Sequence, residues 1–246
     1  MTVLLLGGTT EARQLAGLLL TDGVPAVTSL AGDVAELRLP PGEVRVGGFG
    51  GVAGLVSYLR EHEVSAVVDA THPFAATMTA HAVAACAQAG VPLLRLSRPS
   101  WSGRPDAAGW HWVDSAAEAR AIAGRLGNRV FLAIGRQALA EFADWDDRFV
   151  LARVIDPPDI AIPASWTVLR ARGPFRVEDE LDLLHRHGID VLVTKDSGGP
   201  TDAKLEAAGR LGIAVVCQRR PPSPAGVDEV ATAAEARDCL VRNRPQ

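Results

Sequence analysis

The sequence predicts an α/β protein of two domains, each with a doubly wound, mainly parallel sheet, and three observations carry that prediction. Short apolar runs alternate with alanine-rich helical stretches along all 246 residues, the pattern of successive βα units. Glycine turns follow apolar runs and lead into helices at Gly7-Gly8, at Gly47 to Gly51 and at Gly198-Gly199. One stretch, Ser97 to Gly109, breaks the rhythm with Arg98-Pro99, Trp101 and Gly103-Arg104-Pro105, and reads as the linker.

The elements follow in order. Val3 to Leu6 runs apolar into Gly7 with no basic segment before it, so the start of the chain reads as a first strand and not as a signal peptide. Further strands are expected at Pro25 to Ser29, Val44 to Val46, Ala66 to Asp69 and Pro92 to Leu96, with helices after Thr10, Gly51 and Pro73, the proline standing at a helix start. These make a first domain of residues 1–97. Residues 98–246 make the second, with strands at Trp110 to Val113, Val130 to Ile134, Phe149 to Val154, Val168 to Arg170, Val191 to Thr194 and Ala214 to Cys217. Its helices start near Ala116, Arg136, Val177, Asp202 and Ala233. Ser115 with Glu118, and Thr232 with Glu235, have capping-box spacing; common helix-start chemistry explains their likeness without a duplication.

Composition excludes several functions. With 48% hydrophobic, 22% charged and 5% aromatic residues and a net charge of −4, the chain has a globular composition and lacks the basic stripe that nucleic acid requires. No apolar run approaches the roughly 18 residues of a membrane span. Cys86, Cys217 and Cys239 are odd in number and widely spaced, which predicts free thiols and a cytoplasmic protein. No histidines stand at metal-ligand spacing, and GxSxG, P-loop and HExxH patterns are absent, so no metal, serine hydrolase or NTPase is expected. Without a heptad or long apolar stripe, a monomer is expected.

Four segments bear chemistry. Gly7-Gly8-Thr9-Thr10-Glu11-Ala12-Arg13 turns from a strand into a helix, where glycines, free amides and the helix dipole suit a phosphate, although the spacing is not a full GxGxxG. Gly47-Gly48-Phe49-Gly50-Gly51 spends four glycines in five residues, which calls for a close backbone approach or a flexible loop. Asp69-Ala70-Thr71-His72-Pro73-Phe74 brings a carboxylate, a hydroxyl and an imidazole to the carboxyl edge of a strand, where open α/β sheets bind ligands. Thr194-Lys195-Asp196-Ser197-Gly198-Gly199 repeats that design in the second half. Of 25 basic residues only Lys195 and Lys204 are lysines, and both flank this last turn; codon bias explains the arginines, and a need for a compact ammonium explains the survivors. Arginines near strand ends, Arg95, Arg98, Arg104, Arg136, Arg153, Arg170, Arg172, Arg219 and Arg220, are solvated charge unless several converge on a carboxylate-rich ligand.

Together the motifs resemble the precorrin-6A reductase family of cobalamin biosynthesis, in its cobalt-free or cobalt-containing form. The likeness runs in order through LLLGGTTEAR, SLAG at Ser29 to Gly32, VGGFGG at Val46 to Gly51, DATHPFA at Asp69 to Ala75, RPSW at Arg98 to Trp101, GPF at Gly173 to Phe175, TKDSGG at Thr194 to Gly199, and Arg220-Pro221. It implies two Rossmann-like domains with NADPH in the cleft, a tetrapyrrole substrate bearing many carboxylates, reduction of one ring double bond, and possible contact with neighbouring cobalamin-pathway enzymes.

By matching motif, Gly7, Gly8, Thr9, Thr10, Glu11, Arg13, Ser29, Gly48, Phe49 and Gly50 would bind the cofactor. Thr71, His72, Pro73, Phe74, Arg98, Arg136, Arg153, Gly198 and Gly199 would bind substrate. Lys195, Asp196 and Ser197 would line the reaction site, Lys195 fixing a carboxylate or the nicotinamide amide and Asp196, or a water it orients, delivering the proton. One departure stands out: where the family leads one to expect an arginine for the adenosine 2′-phosphate, Asp33 follows Gly32, so that either another arginine, such as Arg13 or Arg38, takes its place or the preference for NADPH is weaker than in the family. A nucleotide-sensing module and a uroporphyrinogen-III synthase-like cyclase are the competing readings, separated by the Lys195 turn and by cofactor binding respectively.

Overall fold

The computed structural model describes residues 2–32 and 39–242; Asp33 and Arg38 lie outside them. The chain runs β1 (Thr2–Leu6), α1 (Thr10–Thr21), β2 (Ala26–Leu30), β3 (Glu43–Val46), α2 (Gly51–Glu61), β4 (Val64–Asp69), α3 (Ala76–Ala89) and β5 (Leu93–Leu96). It continues β6 (His111–Val113), α4 (Ala116–Leu126), β7 (Arg129–Ala133), β8 (Phe149–Val154), β9 (Trp166–Arg170), α5 (Val177–Arg186), β10 (Val191–Lys195), α6 (Ala203–Leu211), β11 (Ala214–Gln218), β12 (Asp228–Val230) and α7 (Ala233–Arg242). The expected class holds: two six-stranded sheets, every pairing parallel, each with helices on both faces.

In unit 1 the strand order is β12-β5-β4-β1-β2-β3. Both faces of the sheet are covered, so the central strand β1 is apolar on both sides from Val3 to Leu6 and does not alternate. Val3 and Leu5 of β1 face α1 and α7 through Leu15, Leu19, Ala236 and Leu240, while Leu4 and Leu6 face α2 and α3 through Leu55, Leu59, Ala82 and Ala85. Unit 2 has the order β6-β11-β10-β7-β8-β9. Val130 and Leu132 pack toward α4 and the Leu139–Phe142 segment; Phe131 and Leu192 pack toward α5 and α6.

Both orders are the 3-2-1-4-5-6 arrangement of a doubly wound sheet, with the sixth position filled out of turn. Beside β5 one expects the next strand, β6; instead β12 lies there, in register Asp228↔Leu94, Glu229↔Arg95 and Val230↔Leu96. β6 pairs with β11 in unit 2. Unit 1 therefore comprises Met1–Pro99 and Pro221–Gln246, and unit 2 Ser100–Arg220, which differs from the expected division into 1–97 and 98–246. The sequence hides this return because β12 is three residues long and two of them are acidic, so no apolar run marks it. The two capping boxes now share a place in the fold. Ser115 accepts from the Glu118 amide at 3.1 Å and Thr232 from the Glu235 amide at 3.2 Å, each just after the sixth-position strand of its sheet.

Two local expectations are corrected. The segment from Arg136 is a 3-10 helix, Arg136–Phe142, because Leu139 and Phe142, three residues apart and both fully buried, must fall on one side. Pro73 precedes the helix it was expected to start: α3 begins at Ala76, after a turn closed by the Ala75 amide on the His72 carbonyl at 2.7 Å.

Candidate active site

Strand order reverses between β1 and β4 in unit 1, and ligands of such sheets bind where the carboxyl ends of those strands part. After β1, the Gly7 amide donates to the Ser29 carbonyl at 2.9 Å, and a Cβ on Gly7 would stand 2.8 Å from Thr28 Cγ2. Gly8 follows at φ +114° with open space beside it. Thr9 caps α1: its hydroxyl accepts from the Ala12 amide at 3.1 Å and donates to the Ala70 carbonyl at 2.8 Å, tying this turn to the one after β4. The amides of Gly8, Thr10 and Glu11 meet no acceptor among the described residues, so the positive end of α1 keeps three donors to offer. Arg13 donates to the Leu39 carbonyl at 2.8 Å.

After β4, Asp69 is 1% exposed and accepts four hydrogen bonds. Thr71 supplies its amide at 3.1 Å and its hydroxyl at 2.7 Å; Thr79 Oγ1 donates at 2.7 Å and Arg95 Nη1 at 2.5 Å. Arg95 stands between Asp69 on β4 and Glu229 on β12 in strand register, with its Nε 3.8 Å from Glu229 Oε2. Asp69 thus anchors the turn that presents Thr71, His72, Pro73 and Phe74. Within it, His72 Nδ1 accepts from the Phe74 amide at 3.2 Å.

A third turn, Gly47 to Gly51, ends β3. Gly50, the residue before α2, takes φ +79°, a backbone that L side chains rarely adopt. This turn is held by Arg45, which is not among the residues expected to bind a ligand. Arg45 donates from Nη1 to Ser29 Oγ at 2.7 Å and to the Gly47 carbonyl at 2.9 Å, and from Nη2 to the Gly48 carbonyl at 3.2 Å, while its Cζ lies 3.9 Å from the Phe49 ring centroid. The available signal was an arginine beside a glycine turn at a strand end.

In unit 2, order reverses between β7 and β10, and Lys195 stands at the carboxyl end of β10. Desolvation by burial pushes the Lys195 ammonium below its ordinary range. Asp196, 2% exposed, accepts from Ser100 Oγ at 2.6 Å, the Trp101 amide at 2.9 Å, and Arg220 Nε and Nη2 at 3.0 and 3.2 Å. It gathers the first and last residues of the unit around one carboxylate. The Ser197 amide closes on the Lys195 carbonyl at 2.7 Å, Gly198 and Gly199 continue at φ +66° and +62°, and the Gly199 carbonyl accepts from Trp101 Nε1 at 3.1 Å. Ser100, Ser102, Trp112, Asp196, Arg219 and Arg220 line a cavity of about 370 Å³.

Not every expected ligand-binding arginine faces such a site. Arg98, 8% exposed, bonds Glu11 at 3.1 Å, so these two expected site residues are partners within unit 1. Arg153 is paired with Glu180, itself 1% exposed, and lies 3.8 Å from the Phe175 ring centroid. A buried cation needs a partner more than it needs a ligand, and both found one inside the fold. Arg136 stands 3.5 Å from the exposed Asp159.

Lys204 is also internal: its Nζ donates to the Thr201 carbonyl at 2.8 Å and sits 4.6 Å from the Trp101 ring centroid. Burial, with the Arg153 charge nearby, pushes its pKa down to about 8. Below pH about 8 the folded and unfolded chains both carry this proton and folding bears the whole desolvation penalty. As pH rises from there toward about 10.5, only the unfolded chain keeps it, so folding gains up to about 3 kcal/mol. Urea unfolding of the wild type against Lys204→Met, at pH about 7 and about 10, should show that gain in the wild type alone; a pH-independent difference would refute it.

Cys86, Cys217 and Cys239 are free thiols, as expected. Among the described residues no cluster of His, Cys, Asp or Glu is placed to hold a metal ion, and no helix is long and apolar enough to cross a membrane.

These turns can be compared with known proteins. The family model described as precorrin-6x reductase CbiJ/CobK matches residues 2–240. The chain belongs to that family. A curated precorrin-6A reductase from Rhodococcus erythropolis is 54% identical over 236 residues, 94% of this chain and 95% of the relative. A cobalt-precorrin-6A reductase from Salmonella typhimurium is 31% identical, over 93% of this chain and 90% of the relative. Among solved structures, "CobK precorrin-6A reductase" superposes with a TM-score of 0.90 at 44% identity, covering 98% of this chain and 96% of that one. As a precorrin-6x reductase, the chain is a reductase of cobalamin biosynthesis, in line with the resemblance carried by its motifs.

Proposed function

We propose that this enzyme reduces one ring C=C bond of precorrin-6A with NADPH to give precorrin-6B. Family membership and 54% identity to a precorrin-6A reductase support the reaction, and the lower identity to the cobalt-precorrin enzyme favours the cobalt-free substrate. The observation that supports the substrate class is the unit 2 cavity: beside Asp196, which already holds Arg220, it offers the half-exposed Arg219, two hydroxyls and a flat indole to the edge of a ring bearing carboxylates. The same reading makes the enzyme a monomeric cytoplasmic protein whose partner is a small molecule.

The residues of unit 1 fit the cofactor. Amides at the start of α1 and the open side of Gly8 offer a phosphate both donors and room for close approach. When bound, NADPH supplies the hydride, and the protein's part is to orient the reacting carbons and furnish a proton at the neighbouring one. Asp196 suits that proton poorly, because its oxygens accept from Ser100, the Trp101 amide and the Arg220 guanidinium. We assign it the role of holding the turn and Arg220, and assign the proton to Lys195, whose burial makes its ammonium a stronger acid.

Anaerobic incubation of the purified protein with precorrin-6A and NADPH is expected to consume reduced nicotinamide in step with loss of precorrin-6A. If neither changes, the reaction is wrong; if NADH serves equally well, the cofactor is.

A further inference from the structure

Arg45 is half-buried and differs from the more deeply buried arginines of this protein in what it meets. Arg95, Arg98 and Arg153 each face a carboxylate, whereas the acceptors of Arg45 are a hydroxyl and two backbone carbonyls, all neutral. Its charge is therefore uncompensated by any ion pair among the described residues. The Phe49 ring against its guanidinium and three hydrogen bonds fix the plane of the fork, and its Nε and one Nη2 hydrogen meet no acceptor among the described residues.

The position is as telling as the charge. Ser29 stands at the carboxyl end of β2, beside the first glycine turn and in register with Arg45 on β3. In doubly wound nucleotide-binding sheets the end of the second strand meets the adenosine ribose, where an acid selects a free 2′-hydroxyl and an arginine a 2′-phosphate. Among the described residues the end of β2 presents a serine held by an arginine. Arg13 is directed to the Leu39 carbonyl.

We infer that Arg45, with the hydroxyl of Ser29, forms the subsite for the 2′-phosphate of the cofactor and so sets the choice of NADPH over NADH. The inference rests on the proposed use of a nicotinamide dinucleotide by unit 1. A phosphate monoester brings close to two negative charges and three acceptor oxygens to a fork whose plane is already set, so little ordering remains to be done on binding.

Calorimetric titration of NADP⁺ and NAD⁺ into the purified full-length protein tests it without turnover. The wild type should bind NADP⁺ more tightly, and Arg45→Gln should weaken NADP⁺ by about tenfold to a hundredfold while leaving NAD⁺ within about twofold. Ser29→Ala keeps the cation and should lower NADP⁺ affinity selectively by a few-fold, a second reading if Arg45→Gln does not fold. Equal wild-type affinities, or parallel losses for both dinucleotides in these variants, overturn the subsite and leave the oxidoreductase reading intact. Failure of the wild type to bind either dinucleotide removes both.

Discussion

Lys195→Met is expected to lower kcat for precorrin-6A reduction by about 10²- to 10⁴-fold, the range for losing a positioned general acid, with NADP⁺ affinity nearly unchanged. The methionine keeps the length of the side chain and removes only the ammonium. Lys195→Arg separates two roles. Arginine remains charged at all accessible pH and forks well onto carboxylates, so it should rescue an anchoring function but not proton delivery. A general acid must be protonated to act, so the wild-type rate should fall as pH rises through the Lys195 pKa, which burial has placed below the ordinary lysine range. That limb should be missing from the residual activity of Lys195→Arg. Full rescue by arginine would show that Lys195 binds substrate and that another group carries the proton.

Asp69→Ala is expected to destabilise the protein by about 3–5 kcal/mol, because it strands the Arg95 cation, 6% exposed, at the centre of a row of charges across β4, β5 and β12. It also frees both donors of Thr71 and with them the turn that presents His72. Urea denaturation gives the loss, and a change below about 1 kcal/mol would mean that Glu229, 3.8 Å away, already neutralises Arg95. Asp69→Ala combined with Arg95→Met should recover much of the stability, since a buried pair removed together leaves no orphan charge. Recovery of stability without recovery of turnover would separate the anchoring of the turn from the folding of the sheet.

What could be read from residues alone follows a physical division. Strands buried on both faces announce themselves as apolar runs, and glycine turns mark where each strand meets its helix, so β1 to β5 and β7 to β11 lie within a few residues of expectation. The Lys195 to Gly199 turn and the Gly7 to Thr10 turn were foreseeable as turns, because their local chemistry is written in neighbouring residues. Long-range partnership is not. Nothing near Arg153 foretells Glu180, nor anything near Arg98 Glu11, and an arginine looks the same in sequence whether it awaits a ligand or already holds a carboxylate. Arg45 was missed for a related reason: its meaning comes from Ser29, 16 residues away in sequence but adjacent in register. β12 escaped because a short acidic edge strand has the composition of a loop.

The place of β12 has a consequence for how the molecule is made. Synthesis is vectorial, so all of unit 2 is translated before Asp228 to Val230, and until then the earlier sheet of unit 1 exposes the unpaired edge of β5. That edge is sealed only when Asp228 to Val230 arrive, which leaves it open to mispairing while all of unit 2 is being made. A premature stop shortly after codon 220 would therefore injure the portion translated first and spare the portion translated last.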